Sequence, residues 1–265
     1  MPIKIGLELR PERPIILPLF TGHVARGLLL HIIRWVDPGA SSALHELNVT
    51  KPYSVTPLEF KSKERTEKGY LVDVDFPCRV WFRFLRDELF NNIPRYFSEK
   101  DRILVYDTIF RIASLNVKFE SYEDLLRGVD KPVRAFRIYF KTPTYLKTLG
   151  TDYHYMFPDH LLVFPNLMRL WNSFSDYRSF SKGEFLEYRG WLLKNVGVSQ
   201  HEIRTRIAYM GRRKATGFTG WATYEMKTLD EWNRVTCALA RFAEYSNLGG
   251  NRTGGFGVVE YVPKQ

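Results

Sequence analysis

Cysteine is scarce: Cys78 and Cys237 lie far apart with no CxxC pair. That excludes a disulfide framework and a zinc-ligand spacing, and a reducing cytosol is the simplest setting. Long apolar runs are also missing, and none is long enough to span a bilayer. The opening Met1-Pro2-Ile3-Lys4-Ile5 passes directly into strand-like alternation, without the charged region and apolar stretch of a signal peptide. A soluble, cytoplasmic protein with no membrane partner is expected. Neither GxxxxGK followed by Ser or Thr, nor GxGxxG leading into a helix, is present, so P-loop ATPase and Rossmann chemistry are disfavoured. With no HExxH or other recognisable ligand spacing, no metal and no cofactor are expected.

What is present belongs to an ordered chain. It is 45% hydrophobic and 15% aromatic, with charge spread along 265 residues. That length accommodates one large core or two domains of about 100 to 150 residues each. The 39 Lys and Arg outnumber the 29 Asp and Glu, for a net charge of +10. A polyanion is therefore the first partner to consider, with nucleic acid ahead of an anionic membrane surface.

Ile3, Ile5, Leu7 and Leu9 alternate with Lys4, Gly6, Glu8 and Arg10, the period of a half-buried strand. From Thr21 or Gly22, the spacing of Val24, Leu28, Ile32 and Trp35 predicts a helix that Asp37-Pro38-Gly39 stops. Strands follow at Tyr53 to Phe60, Tyr70 to Phe76 and Arg79 to Leu85. A short helix over Asp87 to Phe97, holding Pro94, precedes alternation from Ile103 to Phe119. A comparable order begins with a strand at Arg134 to Lys141. It continues through helices at Leu161 to Phe174 and Phe185 to Val196, strands at Ile203 to Tyr209 and Phe218 to Met226, a helix at Leu229 to Tyr245, and a strand from Phe256 to Val262. Two successive βαββαβ units imply an α+β protein of two tandem ferredoxin-like, RRM-like domains, 1–130 and 131–265. One α+β domain with a larger mixed sheet is the alternative.

Between the last helix and strand runs Asn247-Leu248-Gly249-Gly250-Asn251-Arg252-Thr253-Gly254-Gly255-Phe256-Gly257. Glycine admits positive φ and close backbone approach, so this segment can cradle an anion with Arg252 adding charge; it can equally make a tight connection. With Phe242-Ala243-Glu244-Tyr245 before it and Gly217-Phe218-Thr219-Gly220-Trp221 upstream, it resembles the C-terminal region of the CRISPR-associated endoribonucleases that process repeat RNA, members of the RAMP superfamily. Asn247 stands where that family usually has glycine. Arg26-Gly27-Leu28-Leu29, Leu44-His45, Lys51-Pro52-Tyr53, Thr142-Pro143-Thr144 and Phe157-Pro158 extend the resemblance over nearly the whole chain.

The resemblance implies metal-independent cleavage of CRISPR repeat RNA by a 2′-hydroxyl, leaving a 2′,3′-cyclic phosphate and a 5′-hydroxyl. It also implies the catalytic residues His45, as general acid or base, and Lys51, which stabilises the phosphorane. Some members add a tyrosine on the first helix, where this chain has Leu30 followed by His31. His31 either substitutes for it or merely packs. His23 is a weaker candidate, and His154, His160 and His201 read as surface or packing residues. Arg204, Arg206, Arg212, Arg213 and Lys214, with Tyr209 among them, form a basic hairpin suited to a phosphate backbone. RNA contacts are expected there and at Gly249, Asn251, Arg252, Thr253, Gly255 and Gly257. The partners to consider are CRISPR repeat RNA, a second copy of the chain and subunits of a CRISPR effector complex. Two rival functions are a catalytically inactive RNA-binding relative and a RAMP scaffold subunit.

Overall fold

Ile3, Ile5, Leu7 and Leu9 are all buried, while Lys4 and Glu8 are half-buried on the other side of the strand. One strand face thus carries helices. The computed structural model describes residues 1–44, 49–128, 133–148, 150–210 and 213–264. Its first half comprises β1 (Ile3–Pro11), β2 (Ile15–Leu17), α1 (Gly22–Val36), α2 (Pro38–Ala43), β3 (Tyr53–Val55), β4 (Glu64–Thr66), β5 (Gly69–Val72), β6 (Cys78–Phe84), α3 (Ile93–Glu99), β7 (Arg102–Val105), β8 (Thr108–Phe119) and α4 (Tyr122–Arg127). The main sheet has the order β3-β6-β1-β8-β7, with β1 antiparallel to both β6 and β8. Without its edge strand β7, this is the βαββαβ arrangement of a ferredoxin-like fold. A small sheet, β2-β5-β4, stands beside it.

The second half comprises β9 (Ala135–Thr144), β10 (Leu146–Lys147), β11 (His154–Tyr155), α5 (His160–Phe174), α6 (Lys182–Asn195), β12 (Val196–Met210), β13 (Arg213–Met226), α7 (Glu231–Ser246), a 3₁₀ turn (Arg252–Gly254) and β14 (Val259–Lys264). Its sheet runs β12-β13-β9-β14, the same order again, and β10 pairs with β11 in a short ribbon. The expected tandem ferredoxin-like architecture is the one observed.

Several elements differ from the periodicity, and three of the differences show why. The helix expected from Asp87 starts at Ile93. Pro94 then falls in its first turn, where a missing amide donor costs no helical hydrogen bond. Ile103 to Phe119 is a hairpin, turning at Tyr106 with φ 55. The unanticipated α4 carries its own start signal, a Ser121–Asp124 capping box.

Two cores form under the sheets. Leu28, Leu29, Ile32 and Ile33 of α1 pack with Phe82, Phe84 and Phe110, while Phe136, Phe140 and Tyr224 pack with Phe164, Trp171, Tyr188 and Phe242. Each such aliphatic side chain, moved from water to the interior, contributes about 1.5–3 kcal/mol. A smaller cluster of Phe20, Tyr145, Ala208 and Phe256 bridges the halves. Among the described residues, no helix is long and apolar enough to cross a membrane.

The end of α7 lies against the face of the first sheet that carries no core. Ser54 Oγ donates to the Tyr245 carbonyl at 2.7 Å, and Tyr245 donates its hydroxyl to Glu120 at 2.7 Å. Lys4 Nζ sits 3.9 Å from the Tyr245 ring centroid and 3.6 Å from Glu244. Burial, with Arg83 adding repulsion and Glu244 opposing both, brings the Lys4 ammonium down to about 8 from 10.5. Between those pH values the unfolded chain holds the proton that the folded chain has released. This group's contribution to stability therefore rises with pH across that window. Lys4→Met should flatten the rise, measured as the difference in denaturant midpoint between the two ends of the window.

Candidate functional site

α7 stops because Asn247 adopts φ 56 and ψ 172, a positive-φ, extended-ψ backbone that glycine takes readily and other residues take only under strain. Its backbone thus does what glycine does, and its side chain adds what glycine cannot. Asn247 Nδ2 donates to the carbonyls of Val55, Arg252 and Phe256, at 2.9, 3.2 and 3.0 Å, while its Oδ1 accepts from Arg83. Arg83 is on β6 and Val55 on β3, so a single amide ties the glycine-rich segment to the first sheet. Burial lowers the Arg83 guanidinium to about 10, with Glu244 and Glu59 opposing, so it stays charged at neutral pH.

The glycines of the segment answer to close packing. A Cβ on Gly22, at the start of α1, would collide with the Gly254 carbonyl, and one on Gly257, at φ +68, with the Leu248 carbonyl. The turn is seated against α1 and β3, and the tight-connection reading describes it better than an open cradle. Arg252 is turned inward, only 8% exposed. Its guanidinium donates to the Ser246 carbonyl at 2.7 Å and to the Lys51 carbonyl at 3.1 Å. Burial brings it to about 10, still cationic at neutral pH. Arg252 therefore fixes the backbone just before β3, which carries the half-buried Lys51.

Beside Lys51, the phenol of Tyr53 is buried. Burial pushes it up, while Arg26, the Thr253 hydroxyl to which it is bonded and Arg252 pull it down. Arg26 is exposed on α1. The structure thus gathers Lys51, Thr253 and Arg252 with Arg26 and Tyr53, two residues not singled out as site members by their sequence. Helical phase offers a signal for Arg26, which lies one turn before Leu30 on the same flank of α1. His45 lies outside the described residues.

His31 is on the other flank. It meets the Tyr96 ring edge-on at 6.1 Å and lines a cleft of about 280 Å³ with His23, Leu28, Leu104 and Tyr106. Leu104 belongs to β7, and β3 and β7 are the opposite edges of the sheet. His23 Nε2 is 3.0 Å from the Tyr106 hydroxyl, and burial lowers its imidazole below the ordinary value. The structure therefore does not bring His31 together with Lys51.

Arg204 and Arg206 are exposed on one face of β12, and Arg213 and Lys214 are exposed where β13 begins; Arg212 lies outside the described residues. Asn251 reaches Met210 at the end of β12, Nδ2 to Sδ 3.6 Å, so the basic hairpin borders the turn. Gly249 and Gly255, both at φ +81, lie against the Tyr145 carbonyl and against Gly22 and Pro57.

Two ferredoxin-like units joined through a glycine-rich turn, with a basic hairpin beside the joint, define an α+β protein of the tandem ferredoxin-like class. The family model of the CRISPR-associated endoribonuclease Cas6 matches residues 138–259, and that of the Cas6 N-terminal domain matches residues 1–100. The chain belongs to the Cas6 family. It is 30% identical over 131 residues to the CRISPR-associated endoribonuclease Cas6 of Mycobacterium tuberculosis, a match covering 49% of this chain and 40% of that one. The match thus spans about two fifths of that relative's length. The Cas6 of Streptococcus thermophilus is 24% identical over 233 residues, covering 86% of this chain and 87% of its own. Among solved structures, the product complex of a Thermus thermophilus Cas6 superposes with a TM-score of 0.80 at 25% identity, covering 100% of this chain and 99% of that one.

Replacing Asn247 with Ala leaves the Arg83 cation buried without this partner and takes a donor from three carbonyls, of which that of Arg252 keeps the Gly255 amide. A loss of about 3 kcal/mol or more is expected. Asn247→Gly should lose less, because it drops the same bonds but holds this positive-φ backbone without strain. Denaturant titration of both variants measures the loss and separates side-chain bonding from backbone strain.

Proposed function

We propose that this protein cleaves CRISPR repeat RNA, using its own side chains rather than a metal ion. The observation that carries the reading is the Arg252–Lys51 clamp. It fixes the segment bearing Lys51 against the glycine-rich turn, next to Arg26 and the start of α1. A cation held by a rigid backbone stabilises a phosphorane without reorganising as the charge develops. Solved relatives of this fold include a Cas6 product complex, a Cas6 substrate mimic complex and a RAMP protein binding different RNA substrates, which supports RNA as the ligand.

In this mechanism the repeat 2′-hydroxyl attacks the adjacent phosphorus. The P–O5′ bond breaks, leaving a 2′,3′-cyclic phosphate on one product and a 5′-hydroxyl on the other. His45 transfers a proton as general acid or base, and Lys51, with Arg26 beside it, faces the developing charge. Arg252 acts by positioning Lys51, and the hairpin of Arg204, Arg206, Arg212, Arg213 and Lys214 holds the phosphate backbone with Asn251 and Thr253 of the turn. Gly249, Gly255 and Gly257 give that turn its shape. On this reading the chain divides into the unit bearing the proposed catalytic groups, 1–130, and the unit bearing the hairpin, 131–265.

Cleavage of cognate repeat RNA in EDTA tests the reading. Wild type should cut with unchanged rate, His45→Ala should slow cutting by roughly 100-fold or more, and Lys51→Ala by a comparable factor. His31→Ala should cut normally. A 2′-deoxy nucleotide immediately upstream of the cut should abolish cleavage and spare binding. Tight binding without cleavage by the wild type would instead identify an inactive relative. Lys214→Ala should weaken binding to all sequences alike and lower the salt dependence, the logarithmic slope falling by about one if a single phosphate contact is lost.

A further inference from the structure

A ferredoxin-like sheet packs its helices on one face and leaves the other open. In the first sheet the open face is met by the end of α7, through Lys4, Ser54 and Tyr245. In the second sheet it carries a different set of side chains. Trp221 of β13 and Tyr139 of β9 are direct partners in register and half-exposed. Arg137 lies with its guanidinium carbon 3.8 Å from the Trp221 ring centroid and 5.8 Å from that of Tyr139, and Lys141 Nζ is 5.0 Å from the Tyr139 centroid. Arg204 and Arg206 continue the same face across β12, since Glu202 pairs in register with Trp221 and Arg204 with Thr219.

We propose that this open face, centred on Trp221 and Tyr139, binds single-stranded RNA that flanks the processed repeat. Adjacent aromatics accept stacked bases of any sequence, a guanidinium stacked on a ring offers a further planar surface, and surrounding cations follow the phosphates. Bases become available for such stacking only where the RNA is unpaired, which makes a single strand the occupant. The face is cationic overall: Arg137, Lys141, Arg204, Arg206 and Lys264 stand against Glu202, Glu225 and Glu260. Apposed to its own copy it would bring like charges together, so a polyanion fits better than a second chain. It is also continuous with the proposed cutting site. Past Arg204 and Arg206, β12 reaches Ala208, which packs with Phe20 and Phe256 beside the glycine-rich turn.

This inference rests on the RNA-processing reading, and the experiment separates the two. Binding and single-turnover cleavage are measured on a minimal repeat RNA and on the same repeat extended by about eight uridines at either end, a length within the usual span of single-strand sites. One extension should tighten wild-type binding by roughly 10-fold, as stacking of one or two bases provides. Trp221→Ala and Tyr139→Ala should each erase most of that gain while cutting the minimal repeat at the wild-type rate. Trp221→Phe should retain most of it, so a folding defect in Trp221→Ala does not decide the matter. Wild-type cleavage with no gain from either extension overturns this inference and leaves the cutting site intact. No binding or cleavage of any repeat RNA by the wild type overturns the reading beneath it. A fall from dimer to monomer on Trp221→Ala, with RNA affinity unchanged, assigns the face to a second copy and also overturns the proposal.

Discussion

The side-chain amide of Asn247 is the interaction on which the relation between the two sheets depends. It satisfies carbonyls from β3 and from both sides of the glycine-rich turn, and it accepts from the buried Arg83 of β6. A buried cation is tolerated only where its desolvation is offset by good hydrogen bonds, so this cluster forms as a unit or not at all. Once it forms, the turn is seated, Arg252 points inward, and the chain before β3 has one position. The proposed chemistry at Lys51 is then a consequence of packing around an asparagine that is distant in sequence.

The glycine-rich segment accordingly has two layers of meaning. Its outer atoms, Asn251 and Thr253, face the hairpin and the Lys51 neighbourhood, while its inner atoms fill the joint between the sheets. Arg252 shows the division most clearly, since a cation that looks like a phosphate ligand in the sequence spends its hydrogen bonds on two backbone carbonyls. Its charge still contributes to the field around Tyr53, which it and Arg26 pull down against burial.

The fold was largely legible because period-two and period-3.6 patterns mark buried faces directly. β1 and α1 show this, as does the strand order that follows from two βαββαβ units. The site was less legible, for three physical reasons. Burial of a cation, as at Arg252, depends on tertiary neighbours that no local pattern reports. The positive φ at Asn247 turns an apparent departure from a glycine position into the same backbone with added bonds. The flank on which His31 lies follows from helical phase, but which sheet edge that flank meets does not. His45, on the same grounds, is known only by its place in the chain and its resemblance.

The contact between Gly22 and Gly254 has a bearing on how such a protein can change over time. Two backbones meet there with no side chain between them, one at the head of the first long helix and one in the turn that follows the last. A methyl group introduced on the helix side has nowhere to go unless the turn retreats, and the turn is tethered by Arg252 and Asn247. Divergence at Gly22 therefore calls for a matching shift of the turn some 230 residues further along the chain. Variation in the RNA accepted should accumulate instead on the hairpin and the open sheet face, where side chains can be exchanged one at a time.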